Sequence, residues 1–230
     1  MDCFGIPAPV GSYFEGSIIV WKSKKIVFTE LPVRSISEVS HSALEVMIPL
    51  CAVVAACKAS RGIGFRGDLP WGRKLPNEMK HFARVTTETK EAGKLNSVVM
   101  GRKTWESIPD KRRPLPNRVN IIVSATLQPS DQANGVFVVR SLEEALEVSR
   151  KENVERVMVI GGAQLYQDAL KHPDLSTVYL TDINTDFECD TFLEIDERQF
   201  QEEDSIDPAF PRDIQEENGI QYRYRVLRKL

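Results

Sequence analysis

The run Leu50-Cys-Ala-Val-Val-Ala-Ala56 is apolar at every position and built of small or β-branched side chains, with one leucine. A strand wet on one side alternates polar and apolar residues, so an unbroken apolar run predicts a central strand covered on both faces. Strands and helices alternate after it. The pattern predicts a loop over 58–74, a helix over 76–87, a strand over 97–100, a helix over 103–108 and strands over 118–124 and 136–139. A helix over 142–151, a strand over 156–160, a helix over 163–170 and a strand over 177–183 follow, then an alternating 220–227 suited to an antiparallel hairpin. Such an order gives a mainly parallel α/β sheet with ligands at the carboxyl ends of its strands. Residues 1–46 read differently: short strands over 17–20 and 25–29 around a basic turn, then a polar helix over 35–46, with no evident core.

Several classes of function are excluded by composition. The net charge is -3, and a nucleic-acid groove would need a basic excess. Lys22-Ser-Lys-Lys25 and Lys111-Arg-Arg113 are short clusters of the kind found at solvated loop ends. No apolar run approaches the ~20 residues of a membrane span. Residues 1–46 hold one arginine, Arg34, against five acids, the wrong balance for a transit peptide, and Pro7 and Pro9 interrupt any signal-peptide core. The cysteines are Cys3, Cys51, Cys57 and Cys189. No C-x-x-C pair is among them, and Cys51 and Cys57 share a strand, so all four are expected as reduced, buried thiols in a cytoplasmic protein that holds no metal.

One acid sits where an acid is costly. At helical spacing Leu75, Glu78, Phe82 and Val85 share a face. A carboxylate there loses hydration at a cost of several kcal/mol unless paired, which marks a functional candidate. Just before it, Asp68-Leu-Pro-Trp71 reads as a turn ending in an indole. Gly62-Ile-Gly-Phe-Arg-Gly67 fits the dinucleotide pattern G-x-G-x-x-G. Its context does not, because that fingerprint needs a strand directly before and a helix directly after. A closing flap suits it better. Two other junctions do run strand, glycine, helix: Met100-Gly101-Arg102-Lys103-Thr104, and Ile160-Gly161-Gly162-Ala163-Gln164-Leu165-Tyr166. Bare backbone and helix starts there could cradle a pyrophosphate, with Arg102 and Arg140 as forked cations at strand ends.

These residues together resemble the dihydrofolate reductase family, from about Leu50 to Leu230. The motifs are Gly64 to Trp71, Asn77-Glu78 with Phe82, Gly101 to Pro109, Arg113 to Arg118, Ile160-Gly-Gly162 with Tyr166, Thr181, and Asp190-Thr-Phe192. The resemblance implies a central eight-stranded, mostly parallel sheet with an antiparallel C-terminal strand and four flanking helices. It implies hydride transfer from NADPH to carbon 6 of dihydrofolate, with a proton at nitrogen 5 delivered by water. That is a step of one-carbon metabolism feeding thymidylate and purine synthesis, and a target of antifolates.

By the same resemblance Glu78 grips the pterin's 2-amino group and ring N–H, Thr181 donates its hydroxyl to Glu78, and Trp71 holds a bridging water. Arg118 clamps the carboxylate of the substrate's glutamate tail. Val54, Ala56, Leu69, Met79, Phe82, Ile108 and Leu115 wall the substrate. Ala56, Ile63, Gly64, Gly67, Asp68, Gly101, Lys103, Thr104, Ser107, Ile160, Ala163, Gln164, Leu165 and Tyr166 line the nicotinamide and pyrophosphate. Arg102, Ser124 and Arg140 surround the adenosine 2′-phosphate. The Gly161–Gly162 and Arg113–Pro114 peptides are expected cis.

Departures from the family are specific. Ala125 follows the serine where some relatives carry a basic or hydroxyl residue, Met79 replaces a more usual aromatic or leucine, and one extra residue separates Trp71 from Glu78. Residues 1–46 have no counterpart, so a loosely docked extension over 1–46 and a monomeric reductase domain over 47–230 are expected. A fusion to a thymidylate synthase domain is not expected. A reductase of another heterocycle, of the riboflavin-pathway kind, would not need both Glu78 and Arg118. A non-catalytic RNA regulator would have no reason to keep an acid in its core.

Overall fold

A computed structural model describes residues 20–22, 25–27, 48–128, 130–133, 135–203, 211 and 213–230. The chain divides into two units, Met1–Val46 and Met47–Leu230. In the first, β1 (Val20–Lys22) and β2 (Lys25–Val27) form an antiparallel hairpin. Strand β1 starts at the last residue of the strand expected over 17–20 and β2 at the first of the one expected over 25–29; the basic turn between them lies outside the described residues. The helix expected over 35–46 lies outside the described residues.

The second unit runs β3 (Leu50–Cys57), β4 (Gly62–Gly64), α1 (Pro76–Thr87), β5 (Asn96–Gly101), α2 (Arg102–Ser107), β6 (Arg118–Val123) and β7 (Ser130–Ala133). It continues with β8 (Val136–Val139), α3 (Leu142–Lys151), β9 (Val157–Val159), α4 (Ala163–Lys171) and β10 (Leu175–Ile183). The last elements are β11 (Thr191–Phe192), β12 (Phe200–Glu202), β13 (Gln215–Glu217) and β14 (Ile220–Lys229).

The main sheet has the order β12-β14-β10-β3-β9-β5-β6-β8-β7, with β13 also on β14. Its strands from β10 to β8 are all parallel to their neighbours. The hairpin β13–β14 adds antiparallel pairing beside β10. Those strands make up the expected eight-stranded sheet, and the short β7 and β12 extend its two edges. Four α-helices flank it among the described residues.

Strand β3 shows why the opening run is apolar throughout. Leu50, Ala52, Val54 and Ala56 pack into the cluster that contains α3 and α4 side chains. Cys51 and Val53 pack with Val85 and Phe82 of α1. Successive side chains point to opposite faces of a strand, and both faces here are roofed by helices. The capping of α3 was equally local: the Ser141 hydroxyl accepts from Glu144 N, the serine cap with an acid three residues on.

Strands β3 and β9 pair only as far as Ala52 with Val159. Beyond that point they part, and Tyr166 of α4 reaches between the helix and β3 to donate its hydroxyl to Val53 O at 2.8 Å. A split between adjacent parallel strands is where an open α/β sheet accepts a ligand. No helix of the described residues is long and apolar enough to cross a membrane.

Among the described residues the cysteines are free, with Cys51 and Cys57 buried. Cys189 is only half-buried, against the expectation of a buried thiol, because it lies in the loop entering β11. Burial and the neighbouring Cys57 thiol push it up to about 11, so it is a protonated thiol at neutral pH. A Cβ built on Gly62 would stand 2.2 Å from its Sγ and 2.7 Å from its Cβ. Gly62→Ala should therefore cost roughly 1–3 kcal/mol in urea denaturation, the usual penalty of overpacking. The double variant with Cys189→Gly should recover most of it.

Candidate active site

Helix α1 begins with Pro76 at its first position, where no N–H is needed. The next N–H, from Asn77, donates to both carboxylate oxygens of Glu217 at 2.9 and 3.0 Å. An anion from β13 thus caps a helix start 140 residues away. In the same first turn, Glu78 is 5% exposed, and the Thr181 hydroxyl donates to its Oε1 at 3.2 Å. Burial pushes the Glu78 carboxyl up to about 7, the Thr181 bond pulling down and the Glu217 charge pushing further up. An acid poised near neutrality in a cleft is the arrangement that functional carboxylates share.

Thr181 is aligned with Ala55 on β3, and Ala55 packs with Leu69 and the 2% exposed Trp71. The side chain of β3 that faces Glu78 is therefore that of Ala55. Val54 and Ala56, expected as substrate walls, turn their side chains into the cluster on the α3 and α4 side. The alternation of a strand allows only one parity per face. Val54 and Ala56 are left with their backbone, at the open split, as the part that can meet a ligand. Leu165 behaves likewise, since its side chain belongs to the core. Phe82, Ile108 and Leu115 do line one apolar cluster beside α1, whereas Met79 of that helix is 38% exposed.

Arg118 opens β6 near the far end of α1. Its Nη1 donates to Thr86 Oγ1 at 2.7 Å and its Nε to Pro116 O at 3.0 Å. Thr86 is fixed in turn, because its hydroxyl donates to Phe82 O at 2.8 Å. Asn120, wholly buried, holds the preceding turn by exchanging bonds with Leu115 N and O, both at 2.9 Å. Burial lowers the Arg118 pKa from its ordinary value, though a guanidinium stays charged. Two of its five N–H groups are engaged, so the outer fork remains for an acid. Thr86 and Asn120 went unrecognised in the sequence. Thr86 sits two turns past Glu78 on the same helix face, a signal the apolar stripe obscured.

The flap is anchored at its root. Gly64 and Gly62 of β4 pair with Thr191 and Phe192 of β11, and Arg66 N donates to Asp190 Oδ2 at 2.7 Å. Phe65 and Asp68 close a tight turn on each other, and Gly67 has a φ of +82° there. No helix opens on Gly67, which disposes of the dinucleotide reading of this segment. Arg61, just before the flap, is ion-paired with Glu197 and, at 2.6 Å, with the buried Asp182 beside Thr181.

The two glycine junctions meet. Gly101 N donates to Gly161 O at 2.7 Å, and the Gly161–Gly162 and Arg113–Pro114 peptides are both cis. Gly161 has a φ of +116°, which only glycine adopts without strain. A Cβ built on either glycine would lie 3.5 Å from Thr104 Oγ1, so bare backbone faces that hydroxyl. Further along the same edge, Gly101 is aligned with Val123 and Val123 with Val139. The residues that follow, Arg102, Ser124 and Arg140, therefore end three neighbouring strands in one row. Lys103 and Ser107 belong to α2, and Gln164 on α4 is tied to Asp168 at 2.9 Å.

The family model described as dihydrofolate reductase matches residues 50–229. The chain is similar to the dihydrofolate reductase of Drosophila melanogaster, 41% identical over 184 residues, 80% of this chain and 99% of that one. The Sus scrofa enzyme of the same name is 41% identical over 186 residues, covering 79% and 98% of the two chains.

Proposed function

The chain belongs to the dihydrofolate reductase family, and from that premise we propose the roles of its residues in reducing dihydrofolate to tetrahydrofolate with NADPH. The observation that carries the reading is Glu78, 5% exposed with one oxygen held by Thr181, facing an open split in the sheet. A flat heterocycle presenting an amino group and a ring N–H side by side offers the two parallel donors that a dehydrated carboxylate needs. From Glu78 to Thr86, the partner of Arg118, α1 advances eight residues, or about 12 Å. That span suits a ligand with a pterin at one end and a carboxylate at the other.

Glu78 lies around the ring from nitrogen 5, so it orients and polarises the pterin rather than protonating that atom directly. Water admitted past the flap, near Trp71 and Leu69, brings the proton to nitrogen 5. Arg118, steadied by Thr86, fixes the tail through its outer fork. Phe82, Ile108 and Leu115 exclude solvent along the linker between the ends.

The junction residues fit a nicotinamide dinucleotide. Bare glycine backbone at 101, 161 and 162 leaves room for a pyrophosphate beside Thr104, and the row of Arg102, Ser124 and Arg140 suits a 2′-phosphate. Ala163, Gln164 and Leu165 contribute backbone N–H groups at the start of α4. Ile63, Ile160 and the Tyr166 hydroxyl stand near the split where the nicotinamide would lie. When bound, NADPH supplies the hydride that carbon 6 takes up.

Residues 47–230 are the reductase domain in this reading, 1–46 an appended extension, and the protein a cytoplasmic monomer. The test follows dihydrofolate-dependent oxidation of NADPH by its absorbance, with the full chain and with a chain starting at Met47. Turnover is expected from both. No turnover by the full chain overturns the assigned activity, and its loss only in the shortened chain overturns the domain boundary.

A further inference from the structure

The tip of the β13–β14 hairpin closes on the chain between Trp71 and Glu78, the two residues assigned to the pterin end of the cleft. Asn218 and Gly219 have φ of +51° and +75°, the left-handed pair of a tight turn between the paired Glu217 and Ile220. From that turn the Asn218 side-chain amide donates to Lys74 O at 2.7 Å. Ile220 packs with Trp71 and Leu75. The Glu217 carboxylate accepts from Asn77 N through both oxygens, at 2.9 and 3.0 Å. None of these three hairpin residues belongs to the motifs that carry the family resemblance, and the stretch they hold is the one with an extra residue between Trp71 and Glu78.

We propose that Glu217 is a positioning residue for the reductase reaction, its carboxylate clamping the first turn of α1 so that Glu78 meets the pterin edge squarely. The inference rests on the assignment of Glu78 to the pterin. Glu78 follows Asn77 directly, so any shift of the clamped N–H moves the backbone that carries the acid. The clamp is stronger than a neutral cap, because an anion at a helix start is also held by the partial positive charge there.

The same carboxylate acts through space. Burial is the main reason the Glu78 carboxyl is raised to about 7, the Thr181 bond lowers it, and the Glu217 charge adds to the rise. A pterin that donates twice needs Glu78 ionised, so dihydrofolate affinity should fall as pH drops below that midpoint. Removing the Glu217 charge should move the fall to lower pH. The other titratable groups around Glu78 are Tyr166 of α4, Tyr222 and Tyr224 of β14, and His81 one turn along α1, stacked on Tyr224 at 3.7 Å. Burial holds the three tyrosine hydroxyls above their ordinary range, so they stay neutral through this window. His81 is common to every variant compared below.

The test uses the full chain, as the natural protein and as Glu217→Gln, Glu217→Asp and Glu78→Gln. Infrared difference titration of the ligand-free protein follows the band of the protonated buried carboxyl, identified as the band that Glu78→Gln removes. Its midpoint should fall by about half to one pH unit in Glu217→Gln and stay in place in Glu217→Asp, which keeps the charge. Well above the midpoint, both Glu217 variants should bind dihydrofolate about twofold to fivefold more weakly, the scale of one charge at a helix start, with NADPH affinity unchanged. A cap that served stability alone would move neither the midpoint nor the dihydrofolate affinity. An unmoved midpoint in Glu217→Gln, unchanged dihydrofolate affinity, or equal weakening of NADPH overturns the role of Glu217 and leaves that of Glu78 standing. If Glu78→Gln removes no carboxyl band, or binds dihydrofolate as tightly as the natural protein, the assignment of Glu78 itself falls.

Discussion

Glu78→Gln should abolish most turnover and at the same time make the protein more stable at alkaline pH. Glutamine keeps the shape of the side chain and an oxygen for Thr181, but it removes the negative charge. A pterin held by an amide loses one of two parallel hydrogen bonds and all the electrostatic bias on the ring. The loss of turnover should be about 100-fold to 1,000-fold, the range seen when one preorganised electrostatic partner is removed from a site. NADPH binding should be unaffected.

The stability effect has a definite sign. The Glu78 carboxyl is raised from 4.5 to about 7 in the folded state, so the folded protein binds its proton more tightly than the unfolded chain. Below pH 4.5 both states are protonated and the carboxyl contributes no penalty. As pH rises the unfolded chain ionises first, and the penalty grows until the folded carboxyl ionises near 7, after which it is constant. Its full size is about 3 kcal/mol at pH 8. Urea titrations should show Glu78→Gln more stable than the natural protein by an amount of that order at pH 8, with the gap closing toward pH 4.5. A constant gap across that window, or near-normal turnover at neutral pH, would contradict the role given to this acid.

Arg118→Lys is expected to raise the substrate KM by about 10-fold to 100-fold while leaving NADPH affinity nearly unchanged. The guanidinium meets a carboxylate with two parallel bonds, and one charged hydrogen bond contributes roughly 1.5–3 kcal/mol. A lysine ammonium reaches the region but cannot both donate to Thr86 and present a fork. Stopped-flow binding of dihydrofolate and of a substrate analogue lacking the glutamate tail separates the possibilities. The variant should bind the analogue as well as the natural protein does. Equal weakening of both ligands would mean that Arg118 supports the cleft wall rather than the tail.

Much of the fold was legible because its signals are local. The apolar run at 50–56 had to be a two-sided strand, and Pro76 at a helix start with the stripe that follows set α1 at 76–87. The helix expected over 142–151 is α3. Short edge strands such as β7 and β12 were missed because they exist only through pairing with β8 and β14, which no local pattern announces. The flap was read as a loop for the same reason: β4 is a strand by virtue of β11, more than 120 residues away.

The sequence by itself determined that an acid would lie on the buried face of α1 and that glycine-ended strands would carry bare backbone toward one edge. Periodicity and residue chemistry suffice for that. Only the tertiary structure decided what surrounds the acid: Thr181 above it, Glu217 capping its helix, and Ala55 rather than Val54 or Ala56 as its neighbour on β3. It alone placed Thr86 on Arg118 and set the strand register that lines up Arg102, Ser124 and Arg140. The reason is physical. A side chain's identity and spacing fix which face it occupies on its own element, but its pKa, its partners and its reach depend on elements folded against it from elsewhere in the chain.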